Sequence, residues 1–152
     1  MNDWRKEIEE AFNAFVTVTE LAGEPIHPGE LQVEYLPAPH QPPSRLPLDQ
    51  MAVYAFWWEG EWLKIGKAGP RSQARYTSQH YHAGSAPSTL AGSLANDPRM
   101  QEVHGFDRQH PGEWIKRSAC RVNISVSARK RKEVLSLLEA FLHVRLGPRY
   151  EG

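Results

Sequence analysis

The stretch MAVYAFWWEGEWLKIGKAGPRSQARYTSQHY, residues 51–81, decides how the chain is read. It opens as an apolar, aromatic run over residues 51–58 and turns at Glu59-Gly60. It resumes over residues 61–65 with apolar side chains at alternate positions, the pattern of a β-hairpin. The second strand runs into Gly66-Lys67-Ala68-Gly69-Pro70, where glycines permit unusual backbone angles and proline suits the first turn of a helix. A helix is therefore expected from near Pro70, with Arg71 and Arg75 four residues apart on one face. Two like charges so placed repel, and an anionic partner would make the arrangement useful.

Working outward, 152 residues are most economically one domain with a real core. No apolar run approaches the roughly 20 residues of a membrane span, and the N-terminus is charged, unlike a secretory signal. The expectation is a soluble, cytoplasmic protein with no membrane partner. The single cysteine, Cys120, lies in an apparent strand and reads as a small buried apolar residue, with a catalytic thiol as the alternative. The net charge of zero conceals a split: residues 1–50 hold nine acids against three Lys or Arg, a balance of −6, and residues 51–152 hold nine acids against fifteen, +6. A basic body suits nucleic acid, whose phosphates reward clustered Lys and Arg, and an acidic arm suits docking onto that body.

On the N-terminal side, residues 2–21 read as an amphipathic helix with Trp4, Ile8, Ala11, Phe12 and Phe15 on the buried stripe. Seven of the twelve prolines follow in residues 23–48, a semi-extended connector with a short possible strand at residues 31–35. The division is thus residues 1–50, helix and connector packed on the core, and residues 51–152, the main domain. Beyond the hairpin, residues 88–95 read as a short helix capped by Ser85 or Ser88 and ended by Asn96-Asp97-Pro98. Residues 99–112 read as a loop. The next strand is best at residues 119–126, with Cys120, Val122, Ile124 and Val126 on one face, and residues 128–146 form the longest helix, stopped by Gly147-Pro148. The core order is β, β, α, α, β, α.

On the last helix Val134, Leu137, Leu138 and Phe141 make a core stripe, and beside it runs Leu135, Glu139, Leu142, Leu146. A carboxylate interrupting an apolar row is partly desolvated and needs a cation or donor. A Lys or Arg salt bridge is one answer and a metal ion is the other.

Taken together these pieces resemble the GIY-YIG nuclease superfamily over residues 51–151. Val53-Tyr54 within AVYAF stands for the first triplet, Lys64-Ile65-Gly66-Lys67-Ala68 for the second, and Arg75 for the arginine of the following helix. LLEAFLHVRLGPRYEG, residues 137–152, is similar to a segment of the nuclease domain in the bacterial excision-repair endonuclease and places Glu139 at its metal position. The resemblance implies an α/β domain, more narrowly α+β, with a short three-stranded, mainly antiparallel sheet flanked by helices. It also implies an endonuclease that hydrolyses DNA, with RNA as an open alternative, using one Mg²⁺ or Mn²⁺ on Glu139. Arg75 would hold the scissile phosphate. Tyr54, helped by Lys64 or His80, would orient or deprotonate the water, and Lys67 and Arg71 would hold flanking phosphates.

The chain departs from the family at three places. Lys64 replaces the usual Tyr of the second motif, Gln79 stands where His or Tyr is common, with His80 and Tyr81 just beyond, and Glu151 replaces Asn. Each residue also has an ordinary structural use: Tyr54 in the core, Lys64 solvated, Arg75 paired to a carboxylate, and Trp57, Trp58 and Trp62 in packing instead of base stacking. His80 and His82 form an H-x-H pair without a third zinc ligand. The alternatives to a nuclease are a catalytically silent nucleic-acid-binding module and a protein-interaction domain that uses the acidic helix.

Overall fold

The structure, a computed structural model, describes residues 3–150. Residue 2, where the first helix is expected to begin, and Glu151 lie outside them. The helices are α1 (Trp4–Leu21), α2 (Gln73–Thr77), α3 (Leu90–Ala95), α4 (Pro111–Ser118) and α5 (Lys132–Leu146). The strands are β1 (Leu31–Leu36), β2 (Gln50–Trp58), β3 (Glu61–Ala68) and β4 (Cys120–Ser127). The strands form one antiparallel sheet in the order β1-β4-β2-β3, so the class is α+β. Four strands stand where three are expected, because β1 of the connector pairs with β4, Leu31 opposite Val126 through Leu36 opposite Arg121.

The hairpin forms because Glu59 and Gly60, at φ 44° and 81°, make a tight turn of the hand that matches strand twist. A β-bulge follows: Trp57 opposes Trp62 and Phe56 opposes Lys64, leaving Leu63 as the extra residue. The backbone carbonyls of Trp62 and Leu63 accept from Arg149 N–H and Tyr150 N–H, both at 2.9 Å. Arg149 also forks onto Glu61, and the Tyr150 hydroxyl donates to Asp97 at 2.6 Å. The Pro148-Arg149-Tyr150 segment is thereby clamped to β3.

The sheet is covered on both faces. On one, α1 and α5 lay Trp4, Ile8, Ala11, Phe15, Val134, Leu135, Leu138 and Leu142 over Val53, Ala55, Val122 and Ile124. Asp3 caps α1 through Arg5 N–H, and the ion pairs Glu24–Arg131 (2.9 Å) and Glu30–Lys130 tie the acidic arm to the basic turn before α5. The more buried row of α5 is 134, 135, 138 and 142, while Leu137 and Phe141 are half-buried. On the other face, α2 to α4 lay Tyr76, Tyr81, Leu90, Leu94, Trp114 and Ile115 over Tyr54, Phe56 and Leu63.

Four local expectations need correction. The helix expected from Pro70 begins at Gln73, because residues 70 and 71 form a turn, so Arg71 is not on a helical face with Arg75. The cap of α3 is Thr89, whose hydroxyl accepts from Gly92 N–H, and neither Ser85 nor Ser88; Ser88 sits at φ 60°. Residues 111–118 are helix α4, where a loop and the lead into a strand are expected; Pro111 opens it and Trp114 and Ile115 are its buried side. Helix α5 begins at Lys132 and not at 128, because residues 128–131 turn the chain, with Ala128 N–H donating to the Asp49 carbonyl at 2.8 Å.

Candidate active site at the edge of the sheet

Strand β3 is an outer strand of the sheet, and its position lets side chains from both faces meet around it. Tyr54 on β2 points to the α2–α4 face and is fully buried. Its direct partner on β3 is Gly66. A Cβ built there would stand 2.8 Å from the Tyr54 hydroxyl oxygen and 2.9 Å from Cε2, so a side chain at 66 would occupy the place of the ring. The glycine of the second motif is what admits the tyrosine of the first.

The Tyr54 hydroxyl lies 2.8 Å from His80 Nε2. His80 Nδ1 accepts from the Leu90 backbone N–H at 3.0 Å. An amide can only donate, so the ring proton of neutral His80 is on Nε2 and Tyr54 accepts it. Burial, with the charges of Arg75, Arg121 and Lys64, holds His80 down to about 2, so the ring is neutral at physiological pH. Arg75 stands close enough for its charge to favour the ionised phenol. Its two terminal nitrogens donate to the carbonyls of Pro87 (3.1 Å) and Ser88 (3.4 Å). Because His80 donates to the Tyr54 oxygen, the phenol's own proton is left to point elsewhere. Burial pushes Tyr54 up to about 12, against the opposing pull of Arg75 and Arg121.

Lys64, opposite Phe56 on the same face, is 1% exposed and donates to Ser88 Oγ at 3.2 Å. Burial, then the charge of Arg75, lowers its pKa. From the other face of β3, Lys67 Nζ reaches Ser136 Oγ at 3.0 Å and Glu139 at 3.7 Å on α5. Glu139 is a quarter exposed and close enough to Tyr54 for its charge to act on the phenol.

The structure thus brings Tyr54, Lys64, Arg75 and His80 into one cluster and sets Lys67 and Glu139 on its rim. Arg71 is exposed in its turn, and no hydrogen bond or ion pair among the described residues joins it to the cluster. Of the three neighbouring residues at 79–81, His80 is the one that meets Tyr54. Tyr81 turns the other way, into a buried network with His40 and Arg121. Both ring nitrogens of His80 are engaged, so the H-x-H pair offers no free lone pair there for zinc. The three tryptophans serve packing: Trp57 stacks on Trp4, Trp58 meets Trp114 edge-on, and Trp62 is buried with its Nε1–H donating to Glu7 at 3.2 Å.

Glu139 offers one partly exposed carboxylate on an open rim. That suits Mg²⁺ or Mn²⁺, which bind through few protein oxygens and keep several waters. Among the described residues no three His, Cys, Asp or Glu stand together as a multi-ligand metal site, so any ion here would be held by a single protein carboxylate. The residues missed from sequence are Arg121, Asn123 and His40, all buried beneath the cluster. The only signal for Arg121 and Asn123 is the polar alternation Arg121, Asn123, Ser125 along β4, which reads as a solvent face, and His40 in the connector has none. No helix among the described residues is long and apolar enough to cross a membrane. Comparison with protein-family models, with curated proteins and with solved structures found no match to this chain.

Proposed function

We propose that the chain is a divalent-metal-dependent endonuclease of the GIY-YIG type that hydrolyses DNA phosphodiester bonds. The observation that carries the reading is the meeting of Tyr54, His80, Arg75 and Lys64 at the edge of β3, with Glu139 on the rim. Arg75, partly exposed and fixed by two loop carbonyls, would meet a phosphate directly, and the buried Lys64 would add positive charge from beneath to what builds on it in the transition state. Because His80 donates to the Tyr54 oxygen, the phenolic proton is available to a phosphate oxygen or the attacking water, which Tyr54 would orient once its buried hydroxyl is uncovered. To act as base Tyr54 must first ionise; the cations around it favour the phenolate and burial opposes it. Glu139 would hold the ion, which supplies charge neutralisation at the phosphate when bound. Lys67, paired to Glu139 at 3.7 Å and 42% exposed, is free to swing to a flanking phosphate.

The Lys67–Glu139 pair also favours a second reading, a module that binds nucleic acid without cutting it, in which this carboxylate simply neutralises a lysine. Nicking of supercoiled plasmid by wild type and Glu139→Ala, with Mg²⁺, Mn²⁺ or EDTA, separates the two. The nuclease reading expects metal-dependent nicking that Glu139→Ala loses. Binding without nicking under either metal, by folded wild type, supports the module instead.

A further inference from the structure

We propose that Arg121 is the positioning residue of the Tyr54–His80 pair, a buried fixed cation that clamps the His80 segment to the sheet and makes the site attractive to anions without touching them. Its importance to the reaction rests on the nuclease reading above, but its geometry does not. Arg121 is 0% exposed, and among the described residues no carboxylate forms an ion pair with it. An unpaired buried charge is costly, and here three hydrogen bonds and a ring of aromatic faces meet that cost. The guanidinium carbon lies 4.9 Å from the Tyr54 ring centroid, 5.2 Å from Phe56 and 5.1 Å from Tyr76.

The hydrogen bonds show what is clamped. One terminal nitrogen donates to the Tyr76 carbonyl at 2.7 Å and the other to the Tyr81 hydroxyl at 3.2 Å. Tyr76 follows Arg75 and Tyr81 follows His80, so one guanidinium fork holds both ends of the segment that carries two site residues. The Tyr81 hydroxyl in turn donates to His40 Nε2 at 2.7 Å, because His40 Nδ1 faces the Ala119 carbonyl at 2.8 Å and must carry the ring proton. Arg121 Nε donates to Asn123 Oδ1 at 2.7 Å, and the Asn123 amide donates to Glu34 at 2.9 Å. The neutral amide therefore spaces the cation from the nearest carboxylate on this path, which stays exposed on β1. The positive charge is left uncancelled beneath the site. The charged groups that face the pair are Arg75 from α2, Lys64 from β3, Arg121 from β4 and Glu139 from α5.

The test moves one negative charge inward without disturbing the clamp. In the double variant Asn123→Asp/Glu34→Gln the carboxylate sits on Arg121 and the Gln amide donates to it, so shape and net charge are kept. The readout is anisotropy of a short labelled DNA duplex in EDTA at pH 7, with circular dichroism to show that the variant is folded. The expected result is a folded protein whose duplex affinity falls about fivefold, the effect of one charge at several ångströms in a partly polar medium. A folded variant with unchanged affinity overturns the charge role, as does a wild type that binds no duplex in EDTA. Arg121→Lys keeps the charge and loses the fork; faster exchange of the Leu90 amide is expected, and unchanged exchange overturns the clamp. Neither readout requires cleavage, so a wild type that binds but never cuts defeats the nuclease reading and leaves this one standing.

Discussion

Replacing Gly66 with alanine tests whether the site is built by the close approach of two motifs. The new Cβ would stand 2.8 Å from the Tyr54 hydroxyl oxygen, 2.9 Å from Cε2 and 3.0 Å from Cζ. Tyr54 is fully buried and hydrogen-bonded to His80 at 2.8 Å, so the ring has little room to yield. Overpacking a core costs about 1–3 kcal/mol, and a strained or broken buried hydrogen bond adds about 1 kcal/mol more. The expected destabilisation is thus about 2–4 kcal/mol. In urea, with a slope of about 2 kcal/mol per molar, the midpoint should fall by about 1–2 M at unchanged slope. Gly69→Ala is the control: a Cβ there meets nothing within 4 Å, and the effect should stay within about 0.5 kcal/mol. Adding Tyr54→Phe to Gly66→Ala removes the closest clash, so the double variant should be less destabilised than the sum of the singles by about 1 kcal/mol. Equal midpoints for Gly66→Ala and Gly69→Ala would refute the packing argument.

Further predictions follow from the same contacts. His40 and His80 are both held below their ordinary pKa by burial. The unfolded chain therefore binds protons first, and stability, full above about pH 6.5, should fall by up to about 1.4 kcal/mol per pH unit per histidine as pH drops below it. Thermal melts from pH 7.5 to 5 check this, and His80→Gln should flatten the profile. Stopping the chain after Gly147 removes the Arg149–Glu61 fork and the Tyr150–Asp97 bond; a loss of about 3 kcal/mol or more is expected by urea titration. Deleting residues 1–45 removes Trp4, Ile8, Phe15 and β1 from the shared core, so circular dichroism should report an unfolded or aggregated product. If Tyr54 acts as the base, log cleavage rate should climb with pH from 6 to 9 with a slope near one, as the phenolate fraction rises.

The hairpin was legible because alternation, an acid-glycine turn and a second alternating run coincide within residues 51–65, and all of that information is local. The buried face of β4 and the mixed row of α5 were legible for the same reason. Other features depend on contacts across the chain. Pairing of β1 with β4 joins residues about ninety positions apart, which no window of sequence reports. Helix α4 has eight residues, too few for helical period to stand out beside Pro111 and Gly112. Gly112 is there because a Cβ would meet the Tyr81 carbonyl at 2.1 Å, a tertiary reason that reads locally as a breaker. Arg121 and Asn123 alternate with apolar residues as a solvent-facing edge would. They are buried only because α2 to α4 cover that face. At the candidate site, the resemblance pointed to Tyr54, Lys64, Arg75 and Glu139 along the chain, but which of Gln79, His80 and Tyr81 meets Tyr54 was not readable. It depends on the short turn at Gln79–Tyr81, which sends neighbouring rings to opposite networks.

The central claim is that Tyr54, set by His80, Arg75 and Gly66, is the chemically active group of a metal-dependent nuclease. Its most direct test is single-turnover nicking of supercoiled plasmid by wild type and Tyr54→Phe, alongside DNA affinity in EDTA. Wild type should cut only with metal, and Tyr54→Phe should keep an affinity within about twofold and cut about 100-fold or more slowly. A Tyr54→Phe protein that cuts as fast as wild type, or a folded wild type that cuts with neither Mg²⁺ nor Mn²⁺, would contradict it.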